Sequence, residues 1–461
     1  DLAGVIPSVW EVREFLSNEE PDRHEQGVDR LLESPAHATH FAREWRKSLL
    51  AETDANRNLA AFVPTTEQWL RNQFVAARLY DAVVRHILVC DVSPDGRQTS
   101  LYQNREASPL GFFGAKGAKP ENLAASTARQ FLGVRIECAQ CHDHPFADWK
   151  QEQFWELAAF FASIQRQDES NEFSAVSEDK TIHTILIEGT KQKVEATYLG
   201  GGSPELDGEE APRVKLAEWI TAKENPYFAR ATVNRLWATM FGTGLVEPID
   251  DFDPQNPASH PELLDKLAAE FIAQEYDLQF ILRSLALSRA YRLSSVVSHE
   301  SQTNPRDFAV MPVRGLSAEQ FLISIDRATG FPSEDFLLNA YGSNNYRYKF
   351  LETFKNRSEN PTEYDSSPIQ ALALMNGQVV SLATNINNSR TLAAVLDYPG
   401  LSTADRVDTL FLATLSRFPT EEEQEQFVAY AENEEKPSGE RAALADVFWV
   451  LLNSSEFAFN Q

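Results

Sequence analysis

Cysteine is nearly missing from this sequence. Three in 461 residues cannot build a disulfide framework. Methionine is as scarce, with three. No apolar run approaches the roughly 20 residues that span a bilayer, so a membrane-spanning chain is not expected. Basic residues are in deficit: 42 Lys and Arg face 68 Asp and Glu, for a net charge of −26. That balance argues against nucleic acid or an anionic membrane surface as partner, because counterion release needs clustered cations. No stretch reads as a signal peptide. The chain opens at Asp1 without a methionine, which suits a processed or trimmed N-terminus. Internal repeats are absent as well.

What is present in quantity is hydrophobic, and above all phenylalanine. Hydrophobic residues make up 43% of the chain, and 29 residues are Phe. One core cannot grow to this length, so two or three domains are expected. Within 8–88, SVWEVREFL, HEQGVDRLLES and HATHFAREWRKSLL carry apolar residues at helical spacing, and 69–89 predicts one long helix. The Gly- and Pro-rich stretch 91–120 predicts a loop. A helix over 121–136 runs into the cysteines, and another covers 151–164. From 165 to 212 the texture changes to alternation in TIHTILIEG and KQKVEATYLGGGSPE, which predicts a small β-hairpin or β-patch. PYFARATVNRLWATMFGTG then predicts a helix that starts near Pro226 and stops at Gly242 and Gly244. Ser259 with Glu262, Ser317 with Gln320 and Thr420 with Glu423 have capping-box spacing. The tail, 402–458, predicts three helices, one with a solvated acidic face. The expected fold class is mainly α. A helical domain spans 1–165, a linker with a small β element spans 166–212, and a second helical domain spans 213–461.

Against that background, IECAQCHDHPFADW (136–149) holds two of the three cysteines and two of the nine histidines. On a helix, Cys138, Cys141 and His142 fall at i, i+3 and i+4 and share one face. This arrangement suits a covalent haem c, with two thiols for the vinyl groups and His142 as proximal iron ligand. Zinc or non-haem iron is the runner-up. Zinc wants four ligands, and His86 with Cys90 on the preceding helix could complete the set, with His144 as a spare. Cys90, inside the apolar VRHILVC, also reads as a plain buried thiol. A bare thiol pair is the third reading. A thioredoxin-like redox pair would need a βαβ pattern, which the sequence does not show. Pro145 pushes His144 out of helical geometry, leaving it to bond a propionate, ligate a second group or cap the loop.

A second constellation gathers Asp250, Asp251, Asp253 and His260 in PIDDFDPQNPASHPELL. Two readings stand: turn-forming aspartates before a capped helix, or a catalytic polar cluster lining a cleft. At a helix start the dipole disfavours imidazolium, and a neutral imidazole is what a metal ligand or general base requires. In VNRLW, Asn234 and Arg235 sit in an otherwise apolar helix. Arg235 could hold a haem propionate or an anionic substrate, or pair with one of the aspartates as a buttress. Met240 reads as core, and Met311, before a proline, as the more accessible methionine. His24, His37 and His40 read as exposed and His183 lies in the β-patch. His260 is therefore the candidate distal ligand or acid–base group opposite His142.

FLGVRIECAQCHDHPFADWKQEQFWELAAFF resembles the signature of the planctomycete-type cytochrome-like (PSCyt) domain, and VIPSVWEVREFL with VDRLLESP resembles its opening. From 213, RVKLAEWIT, NPYFARATVNRLW, FGTGLVEPIDDF, SHPELLDKLAAEF and LALSRAYRLSS resemble the PSD domain that usually follows it. LALMNGQ and FLATLSRFPTEEE are similar to that domain's end. Both are domains of unknown function. The resemblance implies a secreted or periplasmic haem c protein and names no reaction. Its most distinctive PSD block carries over at Asp250, Asp251, Phe252, Ser259, His260 and Pro261, and VNRLW at Asn234, Arg235 and Trp237.

The expected function is thus an extracytoplasmic mono-haem c redox protein. It would be an electron carrier serving a redox partner protein, or the haem-bearing unit of an oxidoreductase. The chain's size favours the latter, with a small-molecule cleft between the domains near His260. Laminin-G-like inserts in resembling proteins associate the substrate with carbohydrate. Two alternatives belong to other classes: a non-catalytic scaffold stapled by haem or zinc, and a hydrolase using Asp250, Asp251 and His260.

Overall fold

A computed structural model describes residues 1–54, 56–92, 99–100, 106–168, 171, 174–331, 346–354, 368–433 and 439–460. The fold is mainly α-helical with small antiparallel sheets. It divides into two compact units, His37–Ser288 and the pair of segments Asp1–Ala36 and Arg289–Gln461. The changes of texture near 165 and 213 are not where the units divide. The reason lies in the packing at Arg213. Its Nη1 donates to the Leu88 carbonyl at 2.6 Å, and its Nε and Nη2 pair with both oxygens of Glu178 at 2.7 and 2.8 Å. A buried, bidentate pair of this kind needs both partners in place, and it locks the β-patch and the helix Pro212–Ile220 onto Tyr80–Val89.

Phenylalanine fills both units. In His37–Ser288 the rings of Phe41, Phe112, Phe113, Phe131, Phe154, Phe160, Phe161, Phe228, Phe241 and Phe271 are fully buried. Each such ring contributes about 1.5–3 kcal/mol of burial free energy. Phe160, Tyr198 and Trp219 stack in a row, with centroids 5.2 and 5.0 Å apart. The other unit builds its core from Ala318–Thr329, Thr403–Thr414 and Gly439–Leu452, around Phe321, Ile325, Leu410, Phe411 and Phe448. The tail forms the three expected helices, Thr403–Thr414, Glu421–Ala431 and Gly439–Leu452, and a short fourth, Ser455–Ala458. The capping boxes at Ser317–Gln320 and Thr420–Glu423 are formed.

The described β elements are a three-stranded sheet in the order Thr99–Ser100, Ala175–Glu178, Ile164–Arg166, the hairpin Thr184–Leu186 with Lys193–Glu195, and the antiparallel pair Arg314–Gly315 with Phe459–Asn460. Two stretches depart from the sequence reading. The long helix over 69–89 is broken into Val63–Val75 and Tyr80–Val89. Between them Ala77 is left-handed at φ 45°, and the Tyr80 amide bonds to the Tyr276 carbonyl at 3.0 Å instead of continuing a helix. The stretch 91–120 is not all loop. Residues 93–98 and 101–105 lie outside the described residues, but Gly111–Ala115 is a buried helical turn. A Cβ on Gly111 would fall 2.1 Å from Thr66 Oγ1, so glycine marks a close approach here and not a turn. Among the described residues no helix is long and apolar enough to cross a membrane.

Candidate functional site

The helix leading to the cysteines does not reach them. Pro120–Thr127 passes into a wide turn, Ala128–Leu132, which Gly133 ends in the left-handed region at φ 67°. A Cβ at Gly133 would lie 2.7 Å from the Phe252 ring, and the Gly133 carbonyl accepts from the Phe252 amide at 2.8 Å. The chain restarts as a 3₁₀ turn, Glu137–Gln140, capped by Cys141. The expected i, i+3, i+4 helical face is therefore not formed. Side chains at i and i+3 of a 3₁₀ turn nevertheless eclipse, so Cys138 and Cys141 still share a side. Both are free thiols and both are exposed. His142, just past the turn, is also exposed, and its Nδ1 lies 2.7 Å from the Asp143 carbonyl. A carbonyl only accepts, so Nδ1 carries the proton and Nε2 keeps the lone pair.

The next helix, Gln151–Ala158, holds this backbone from behind. Gln151 Nε2 donates to the carbonyls of Gln140 (3.1 Å) and Cys141 (3.0 Å), and Trp155 Nε1 to that of Gln140 at 3.0 Å. Asp143 accepts from the Gln151 amide at 3.0 Å and pairs with Lys150 at 3.1 Å. Those contacts hold its carboxyl below the ordinary range, the amide bond most of all. His144 is a loop cap. Its Nδ1 accepts from the amides of Ala147 (2.8 Å) and Phe146 (3.3 Å). This leaves a protonated Nε2, a donor and not a metal ligand.

The aspartate loop lies against the same segment. Asp250 is buried and bonds Arg129 Nε through one oxygen. Its other oxygen takes Arg135 Nε at 2.8 Å and Nη2 at 2.6 Å. Burial works against its ionisation, but the two guanidiniums win and hold its carboxyl below the usual carboxylate range. With both oxygens engaged, Asp250 is an ion-pair staple and not a proton-transfer group. Asp251 is different. Burial pushes it up against the pull of Arg135, with Asp253 and Asp250 adding to the rise. Asp253 accepts from the Gln255 amide at 2.8 Å, and Gln255 Nε2 reaches the Phe146 carbonyl at 3.0 Å. The two constellations thus join within one compact unit, His37–Ser288.

Asn234 and Arg235 part company. Asn234, fully buried on the helix Phe228–Phe241, clamps the incoming loop. Its Nδ2 donates to the carbonyls of Val246 (2.9 Å) and Ile249 (3.2 Å), and its Oδ1 accepts from the Val246 amide at 2.9 Å. Arg235 makes no direct contact with the loop's aspartates, and its Nη1 donates to Ser48 Oγ at 2.7 Å. His260 is the N-cap residue of Pro261–Ala273. Ser259 does not cap, because Pro261 sets the helix start one residue later and the Ser259 amide is spent on the Leu245 carbonyl at 2.8 Å. The His260 ring is half-buried, with Nδ1 3.1 Å from Ser259 Oγ.

The remaining candidates are mostly core. His37 and His40 are buried at 4% and 5% exposure, not exposed. Both rings pack on Phe41. Burial pulls His40 down to about 3. Met311 is buried at 5%, so its loop position gives it no accessibility, and Met240 is core as expected.

The donor set suits a c-type haem: two exposed free thiols on one side of a tight turn, and an adjacent imidazole with its basic nitrogen free. The four-ligand zinc alternative is not assembled. Among the described residues no three His, Cys, Asp or Glu side chains gather in a way that could hold a metal ion. Cys90 bonds to the Ile87 carbonyl at 3.4 Å and burial pushes its thiol up to about 12. With His86 it lines a separate cleft of about 470 Å³ beside Arg85 and Glu218.

Arg129, Arg135, Gln151 and Trp155 were missed as site residues. Gln151 and Trp155 stand at i, i+4 just after the motif, one helix face turned to it. Arg129 and Arg135 are the only charges between 122 and 136, and such isolated cations in an apolar run call for a counter-ion.

Residues 1–166 match the family model PSCyt2, a protein of unknown function (DUF1549). Residues 212–336 and 336–431 match PSD1, a protein of unknown function (DUF1553). No curated protein and no solved structure matches the chain. The cysteine turn lies in the first region, and the aspartate loop with the VNRLW helix lies in the second. The chain is therefore a PSCyt2 region followed by a PSD1 region, two families of unknown function.

Proposed function

We propose that the chain is an extracytoplasmic redox protein that carries one covalent haem c on Cys138, Cys141 and His142. It serves either as an electron carrier or as the haem-bearing unit of an oxidoreductase. The observation that carries this reading is the cysteine turn: two free, exposed thiols three residues apart on one tight turn, followed by an imidazole whose Nδ1 is fixed by a carbonyl. Fixing Nδ1 orients the ring and leaves Nε2 as the coordinating atom. A bound haem would supply a one-electron iron couple. The protein's part is to hold the attachment backbone rigid. Gln151 and Trp155 do this through its carbonyls without covering the thiols, which is how a preorganised site is built. His144, a fixed donor at Nε2, offers a proton to an acceptor at the site. His260 would be the first group to test as a further iron ligand, ahead of Asp251 and Asp253.

The test is production of the full chain with and without a cytochrome c maturation system, followed by visible spectra in both redox states and as the pyridine haemochrome. A haemochrome band that depends on maturation and on both cysteines supports the proposal. A colourless product in which Cys138 and Cys141 still titrate as free thiols after maturation contradicts it. In the loaded protein, His260→Ala should convert a low-spin spectrum to high spin if His260 ligates iron.

A further inference from the structure

Arg235 is a cation without a direct counter-ion. It is half-buried on Phe228–Phe241, yet the one hydrogen bond of its guanidinium among the described residues is Nη1 to Ser48 Oγ at 2.7 Å. Ser48 in turn donates to Gln130 Oε1. Among the described residues the remaining N–H groups of Arg235 meet no acceptor, and they are not sealed from solvent. Asp250 acts on Arg235 only at a distance, since both its oxygens are taken by Arg129 and Arg135. Arg129 acts on Arg235 as a like charge. Three guanidiniums therefore share one fully engaged aspartate. Glu137, 4.0 Å from Arg129, is the other acid at hand, and burial favours its neutral form.

A half-buried guanidinium repelled by another cation is costly to keep unless something anionic joins it. Its planar fork matches a carboxylate in shape and charge. In a chain of net charge −26, this cationic excess is local, and it stands one residue from Cys138 through Glu137.

We infer that Arg235, with Arg129 beside it, is the binding site of a carboxylate group. Two sources share that chemistry: a propionate of the haem attached at the cysteine turn, or a free small carboxylate. The first source rests on the haem proposal above, and the site itself does not.

The test uses the full chain in two forms, one haem-free by Cys138→Ala with Cys141→Ala and one produced with cytochrome c maturation. Thermal unfolding is followed in sodium propionate or succinate against sodium chloride at equal ionic strength. The haem-free form should gain about 2 to 5 °C in the carboxylate salts. Arg235→Gln should abolish that gain without lowering the chloride Tm, because it removes an unpaired charge, and Arg235→Lys should keep part of the gain. If the matured form shows no gain, a propionate fills the site. If it gains as much as the haem-free form, the ligand is a free carboxylate. A haem-free form that melts alike in all salts overturns the inference, as does a gain that survives Arg235→Gln. Should no haem attach, the haem-free arm still decides.

Discussion

The cysteine turn and the aspartate loop look alike as sequence: short, polar, proline-flanked clusters of groups that bind metals or move protons. Folded, they are opposites. In the aspartate loop the central group, Asp250, is buried and saturated by two arginines, and Asn234 fastens the backbone through three bonds. In the cysteine turn the backbone is fastened just as firmly, but Cys138, Cys141 and His142 project to solvent with their reactive atoms unused. Buried polar groups that spend their whole hydrogen-bonding capacity on the protein specify the fold. Groups held in place by others, with reactive atoms to spare, are available for chemistry.

That contrast can be broken at either end. The largest effect is expected at Asp250. Asp250→Ala removes the buried carboxylate that Arg129 and Arg135 share and should cost about 3 to 5 kcal/mol in denaturant unfolding, with Asp250→Asn in between. A loss near zero would mean the loop is not a staple. Acid titration comes next, through His40. Its folded-state pKa is about 3 against 6.5 unfolded, so the unfolded chain binds the extra proton. Stability should fall as pH drops from about 6.5 towards 3, by up to about 1.4 kcal/mol per pH unit from this residue. His40→Gln should flatten that slope. The Asp250 staple has the same sign but a lower window: its depressed pKa keeps its contribution intact above the ordinary carboxylate range and loses it only below. Asn234→Ala should cost about 1 to 3 kcal/mol by freeing the Val246 and Ile249 groups. The smallest effect belongs to the thiols. Cys138→Ala with Cys141→Ala should move the stability of the haem-free chain by no more than about 0.5 kcal/mol, and a larger loss would make the turn structural after all.

Much of the fold was legible because it depends on local pattern. The capping boxes at Ser317 and Thr420, the stop at Gly242 and the hairpin around 184–195 follow from residues next to one another. What was not legible depends on partners far along the chain. The break at Ala77 follows from an amide committed to Tyr276, and apolar periodicity runs through it undisturbed. His37 and His40 looked exposed because Arg43, Glu44 and Lys47 share their helix, yet Phe41 and Trp45 carry their face inward. At the site, the motif itself was readable, but the helix predicted to carry it ends at Gly133, where Phe252 leaves no room for a side chain. The role of Asp250 was hidden for the same reason, since Arg129 and Arg135 stand more than a hundred residues away, separated by 121 and 115 positions.

The most direct test of the central claim is the intact mass of the chain produced with cytochrome c maturation, taken after acid–acetone extraction. The proposal predicts the polypeptide plus one haem, lost when Cys138 and Cys141 are both replaced by alanine. An unmodified polypeptide mass, with both thiols free, would contradict it.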